Sequence, residues 1–145
     1  MLSNYNQIIV PVDGSEPAAN AARFANALGV ATGIPVTHLH VFYITPGELV
    51  GAARMAQQDI EKLRKESAQK AFTAAREAVG HGGHAVQERI VFGEPVDEIL
   101  AYADAHGPSL IVMGRRGLSR VQQVLLGSVS DGVMRNAKGP VTIVS

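Results

Sequence analysis

Two short stretches hold the residue types that could handle a charged ligand. The first is Leu110–Ser130, LIVMGRRGLSRVQQVLLGSVS, where an apolar run ends at Gly114. Arg115, Arg116 and Gly117 follow, then nine residues of loop or turn, then Gly127-Ser128 opening a helical pattern. A glycine lets a ligand approach the backbone without interference from a Cβ. A helix starting at Ser128 would offer unpaired N–H groups and about half a positive charge at its end. Arg115 or Arg116 can supply a planar, permanently charged fork. Together these groups suit a phosphate. The second stretch is Val10–Ser15, VPVDGS, a strand emptying into an Asp-Gly turn. On its own, Asp13 would be read as a turn residue.

The elements around these stretches alternate. Gln7–Val12 reads as a buried β-branched strand, and Ser15 as the N-cap of a helix with Glu16 and Pro17 in its first turn. Ala18, Ala21, Ala22, Ala25 and Leu28 form a small-residue face, and Gly33 ends the helix. Pro35–Ile44 is the second strand. The spacing predicts one long helix over Leu49–Val79, with Ile60, Leu63, Ser67, Ala71, Ala74 and Ala78 inward, broken by Gly80–Gly83. Ala85–Phe92 is a third strand whose Gln87, Glu88 and Arg89 mark it as an edge. A helix follows from Gly93-Glu94-Pro95 to His106-Gly107-Pro108. Ser109–Gly114, a helix over Ser128–Asn136 and the strand Pro140–Ser145 complete the chain. This alternation predicts a doubly wound parallel α/β sheet with helices on both faces, a single domain over residues 1–145. Ligands in such sheets bind beyond the carboxyl ends of the strands where strand order reverses. In the order 3-2-1-4-5, the two stretches meet at that point.

Composition narrows the partners. The 145 residues carry 13 basic and 13 acidic side chains, so there is no basic excess of the kind a general nucleic-acid binder uses. Cysteine is absent, which excludes disulfides and thiolate metal sites. No apolar run approaches the roughly 20 residues needed to span a bilayer, and a cytoplasmic location is expected. Neither a P-loop G-x-x-x-x-G-K-[ST] nor a G-x-G-x-x-G first turn is present. A receiver domain would need an aspartate ending the third strand, where Val91-Phe92-Gly93 stands instead.

What remains is G-x-x-G-x9-G-S. With IIVPVDGSEPA, GEPVDEILAYA, LIVMG and the terminal PVTIV, in that order across essentially the whole chain, the sequence resembles a universal stress protein. The resemblance implies a Rossmann-like five-stranded sheet, homodimers paired through the last strand, and membership of the subset that binds ATP or a related adenine nucleotide (ADP or AMP). It further implies that Asp13 hydrogen-bonds near the adenine, that Val41 offers backbone atoms to the base edge, and that Pro11 and Val12 pack on the ring. Met113 belongs to the same binding set. Gly114 and Arg116 would lie along ribose and phosphates, Gly117 would admit the phosphates, and Gly127, Ser128, Val129 and Ser130 would ring the phosphate tail. The Arg115-Arg116 pair stands where many relatives resemble G-S-H-G, and Ser109 replaces a common acidic residue.

Other features admit plainer readings. His38 and His40 share one strand face, and His81 and His84 flank two glycines, yet neither pair has a third ligand, so no metal held by protein alone is expected. Magnesium shared with bound phosphates fits better. The Thr45–Gln57 segment suits a flap over the pocket. The apolar strand Val141–Val144 leaves an edge for a second copy. No catalytic residue stands out. Beside the nucleotide-binding stress module, a slow ATPase or phosphotransferase and a nucleotide-free dimeric interaction protein remain as alternatives.

Overall fold

The computed structural model describes residues 2–81, 84–116 and 126–145. Five strands alternate with helices: β1 Gln7–Pro11, α1 Glu16–Thr32, β2 Val36–Phe42, α2 Pro46–Ala52, α3 Gln57–Val79, β3 Val86–Phe92, α4 Pro95–Ala105, β4 Ser109–Gly114, α5 Ser128–Asn136 and β5 Val141–Val144. All pairings are parallel, and the order is β3-β2-β1-β4-β5, as the alternation predicts. β1 lies at the centre, with Ile8 beside both Val36 of β2 and Leu110 of β4. Successive strand side chains point to opposite faces, and each face is buried.

On one face, Ile8, Val10, Val36 and Val112 pack under Ala21, Ala22 and Ala25 of α1 and Ala68, Ala71, Phe72 and Ala75 of α3. On the other, Ile9, Leu39, Ile111 and Met113 pack with Ile99 of α4 and Val133 of α5. The ends of α1 follow from its sequence. Ser15 accepts the Ala18 N–H at 3.3 Å, and Gly33, at φ +77°, donates its N–H to Gly29 O at 2.8 Å. A glycine takes that left-handed C-cap without steric cost. Ser109 joins a buried polar chain in which Thr37 donates to Gln7 and Gln7 donates to Ser109. β3 is an edge strand, as its polar residues indicate, and Glu88 pairs there with Arg76 of α3.

The segment after β2 departs from expectation. The single helix over Leu49–Val79 is two helices, because Thr45 and Glu48 close a reciprocal capping box that starts α2 early, at Pro46. α2 buries no residue, so no packing carries it across 53–56 into α3. The inward face of α3 also lies one residue further on than predicted. Ala68, Ala71, Phe72 and Ala75 are buried, whereas Leu63 is exposed and Ser67, Ala74 and Ala78 are half-buried. The ring of Phe72, absent from the small-residue stripe that the spacing suggested, turns the helix toward itself.

Candidate functional site

The exits of β1 and β4 open side by side at the reversal of strand order. A cleft of about 510 Å³ lies there, on the α4/α5 face. β1 and its exit contribute Pro11, Val12 and Asp13, β2 contributes Val41, and β4 contributes Met113 and Gly114 with Arg116 just beyond. The start of α5 closes the cleft with Gly127, Ser128, Val129 and Ser130. The structure therefore brings together every expected site residue that it describes; Gly117 lies outside the described residues. Sequence reasoning missed Leu39, Pro95, Ile99 and Asp131, which also line the cleft. Leu39 was readable, since it stands two residues from Val41 on the same strand face. Pro95 and Ile99 depend on how α4 crosses the sheet, which no local pattern reveals.

Backbone hydrogen bonds tie the rim together. Arg115 donates its N–H to Val144 O, and Gly127 donates to Arg115 O, both at 2.8 Å. The Ser130 hydroxyl donates to Gly114 O at 2.7 Å, so its proton is committed within the protein while the residue lines the cleft. Asp13 Oδ1 accepts the Ser15 N–H at 2.9 Å, leaving the second carboxylate oxygen for other partners. Asp131 is paired with Arg135 one turn along α5. The need for glycine at 114 has a cause inside the fold. A Cβ there would stand 2.6 Å from the Pro17 carbonyl carbon, so Gly114 lets the first turn of α1 sit against the end of β4.

Three helices begin around this cleft, and two of them are capped by side chains. Ser15 caps α1, and Glu94 accepts the Asp97 N–H of α4 at 2.9 Å. The N-cap of α5 is Gly127, which makes no side-chain cap hydrogen bond. Its first-turn N–H groups consequently present their partial positive charge to the cleft without an internal acceptor from the cap residue. The opposite wall, with Leu39, Val41, Ile99 and Met113, is apolar. A ligand with a flat apolar part and an anionic part matches both ends.

The histidines have separate fates. His40 is buried, with Nδ1 2.8 Å from Val12 O and Nε2 2.8 Å from Ser67 Oγ. His38 is buried, and neither ring nitrogen has a hydrogen-bond partner; burial pushes its pKa down to about 4, against the attraction of Glu88. His84 donates its backbone N–H to Asn26. Among the described residues, no group of three or more His, Asp or Glu side chains is arranged to hold a metal ion.

Fold and cleft define a doubly wound parallel α/β domain with a ligand-sized opening at its topological switch point. The sequence model of the Universal stress protein family matches residues 4–145, and the chain belongs to that family. Universal stress protein YxiE of Bacillus subtilis is 33% identical over 97% of this chain and 99% of its own. The solved structure of protein MJ0577, from Methanocaldococcus jannaschii, superposes with a TM-score of 0.79 at 30% identity, over 97% of this chain and 96% of that one. A universal stress protein from Archaeoglobus fulgidus solved in complex with dAMP gives 0.67 at 27% identity, covering 98% and 99%. Another, solved in complex with cAMP, gives 0.61 at 29% identity, covering 97% of each chain. Among the described residues, no helix is long and apolar enough to cross a membrane.

Proposed function

We propose that the cleft binds an adenine nucleotide, ATP or its hydrolysed relatives ADP and AMP, and that the chain acts as a cytoplasmic stress-response module governed by that ligand. The observation that carries the reading is the uncapped start of α5 facing an apolar wall across one cleft. The base lies against Pro11, Val12, Val41 and Met113, with Asp13 at its polar edge. Ribose and phosphates run past Gly114 and Arg116 toward the N–H groups of Ser128, Val129 and Ser130. Magnesium would travel with the phosphates, since among the described residues no group of three or more His, Asp or Glu side chains is arranged to hold it. Two relatives of the same fold hold dAMP and cAMP, which favours adenine over other bases. Of the carboxylates lining the cleft, Asp131 is paired with Arg135 and Asp13 is assigned to the base end, away from the phosphates, so any hydrolysis would be slow.

The test is mass spectrometry of the small molecule released from heat-denatured protein, followed by calorimetry with ATP. Near-stoichiometric adenine nucleotide, or a heat of binding in stripped protein, supports the reading. Gly127 has φ −66° and ψ 158°, a conformation open to other residues. Gly127→Asp should therefore fold, cap α5 internally and set a negative charge in the phosphate path. ATP affinity should fall at least about tenfold while thermal stability holds or rises. An empty protein that ignores added ATP would instead favour a nucleotide-free interaction protein.

A further inference from the structure

We propose that His40 is a positioning residue for the cleft, a buried pin through which α3 sets the orientation of the Val12–Asp13 peptide. This inference rests on the nucleotide reading of that cleft. α3 contributes no residue to the cleft lining, and His40 stands on the opposite face of the sheet from it, the face of Val36. Yet the ring bridges the two. Nδ1 meets Val12 O and Nε2 meets Ser67 Oγ, each at 2.8 Å, and the Phe72 ring lies edge-on at 6.2 Å. A carbonyl oxygen only accepts, so Nδ1 carries a proton; in the neutral ring Nε2 is then the acceptor, and the Ser67 hydroxyl donates to it. The ring is thus fixed by two α3 residues and in turn fixes one carbonyl.

That carbonyl is placed where it matters. Val12 continues the β1–β2 ladder by donating its N–H to Leu39 O at 2.9 Å. Its C=O belongs to the first peptide beyond β1, the one that leads into Asp13. In a trans peptide, C=O and N–H point in opposite directions, and no described peptide bond is cis. Drawing the Val12 carbonyl toward His40 therefore aims the Asp13 N–H away from α3, to the side on which Asp13 lines the cleft. With His40 removed, the buried carbonyl would lose its partner, and the peptide would turn to seek another. A ligand would then meet a donor pointing elsewhere, although no residue touching it had changed.

The experiment compares wild type, His40→Phe and Ser67→Ala for ATP affinity by calorimetry, well below the melting temperature of each. His40→Phe should weaken ATP about tenfold, the scale of one hydrogen bond, and Ser67→Ala less but in the same direction. A purely structural role would lower the melting temperature and leave Kd unmoved, and that result overturns the proposal. Nitrogen NMR of ligand-free wild type supplies a readout that needs neither variant. The His40 ring should carry its proton on Nδ1; a proton on Nε2 instead overturns the pin. If wild type binds no ATP, the proposed function fails. The pin is then judged by the tautomer and by the Asp13 amide resonance, which must shift in Ser67→Ala.

Discussion

His38 and His40 are two residues apart on one strand face, and their surroundings give them opposite consequences. His40 has a partner at each nitrogen, whereas His38 has none and is fully enclosed. Desolvation holds the folded-state pKa of His38 near 4, below the ordinary 6.5; the Glu88 carboxylate raises it and the Arg76 guanidinium lowers it. The unfolded chain therefore binds more protons than the folded one between those values. Stability is complete above about pH 6.5 and declines as pH falls toward 4, by up to about 3 kcal/mol for this residue. Urea unfolding across that window should show the decline, and His38→Leu should flatten it; an equal slope in the variant would assign the acid sensitivity to other groups. The sequence made the pair visible as a candidate metal site but could not distinguish its members. That distinction depends on Ser67, Glu88 and Arg76, contributed by other elements. Gly114 teaches a similar lesson. Its place in the G-x-x-G-x9-G-S pattern was legible, whereas its contact with Pro17 is a fact of how deeply α1 sits on β4.

At the scale of elements, the strands and the helix α5 were readable because their apolar runs are short and sharply bounded by glycine, proline and aspartate. α2 and α3 were not separable, since 53–56 contains no proline or glycine to mark a break. The capping box does mark a start, and it is a local signal that a reading by apolar period passes over. α2 stands on that box alone. It buries no residue, and Leu49 and Val50 are 58% and 66% exposed. The Glu48 carboxyl is held below its usual range by the Thr45 backbone N–H and then its hydroxyl, so the cap requires the ionised form. A seven-residue helix without tertiary burial is marginal. Its amides should exchange with solvent far faster than those of α1 and β4 in native-state hydrogen exchange. Thr45→Ala should remove their remaining protection and leave the global melting temperature within about 1 °C, because the lost cap energy of about 1 kcal/mol is local. A matching fall in global stability would show that α2 is coupled to the core after all. α2 is absent from the residues lining the cleft, so a flap role requires movement from the position seen.

The whole molecule presents two sheet edges, and they are defended differently. β3 ends one side with polar Gln87 and charged Glu88 and Arg89 along its length, side chains that discourage another strand from pairing. β5 ends the other with Val141-Thr142-Ile143-Val144, which carries no charge. The Pro140 and Val144 carbonyls accept from Ile111 of β4 and from Arg115 just beyond it, so by alternation the backbone groups of Val141 and Ile143 face outward, where a partner strand would bond. The family resemblance points to this edge as the homodimer seam, and the contrast between the two edges supplies the physical reason for choosing it. If a second copy pairs there about a two-fold axis, the four-residue strand would make the contact self-complementary and would close the assembly at two copies. Such pairing would also set the rims of the two clefts close to the seam, because Arg115, between the lining residues Gly114 and Arg116, donates to Val144 O. Thr142 is the exposed side chain of β5 and makes no contribution to either core. Thr142→Lys should leave the monomer fold intact while bringing like charges together near the axis. Sedimentation should show its dimer Kd raised by about tenfold or more, most clearly at low salt. Because the seam and the rim share the Arg115–Val144 bond, nucleotide affinity in the variant should become dependent on protein concentration. An unaltered dimer would relocate the seam, and β3, with its exposed Ile90 and Phe92, would then be the edge to substitute next.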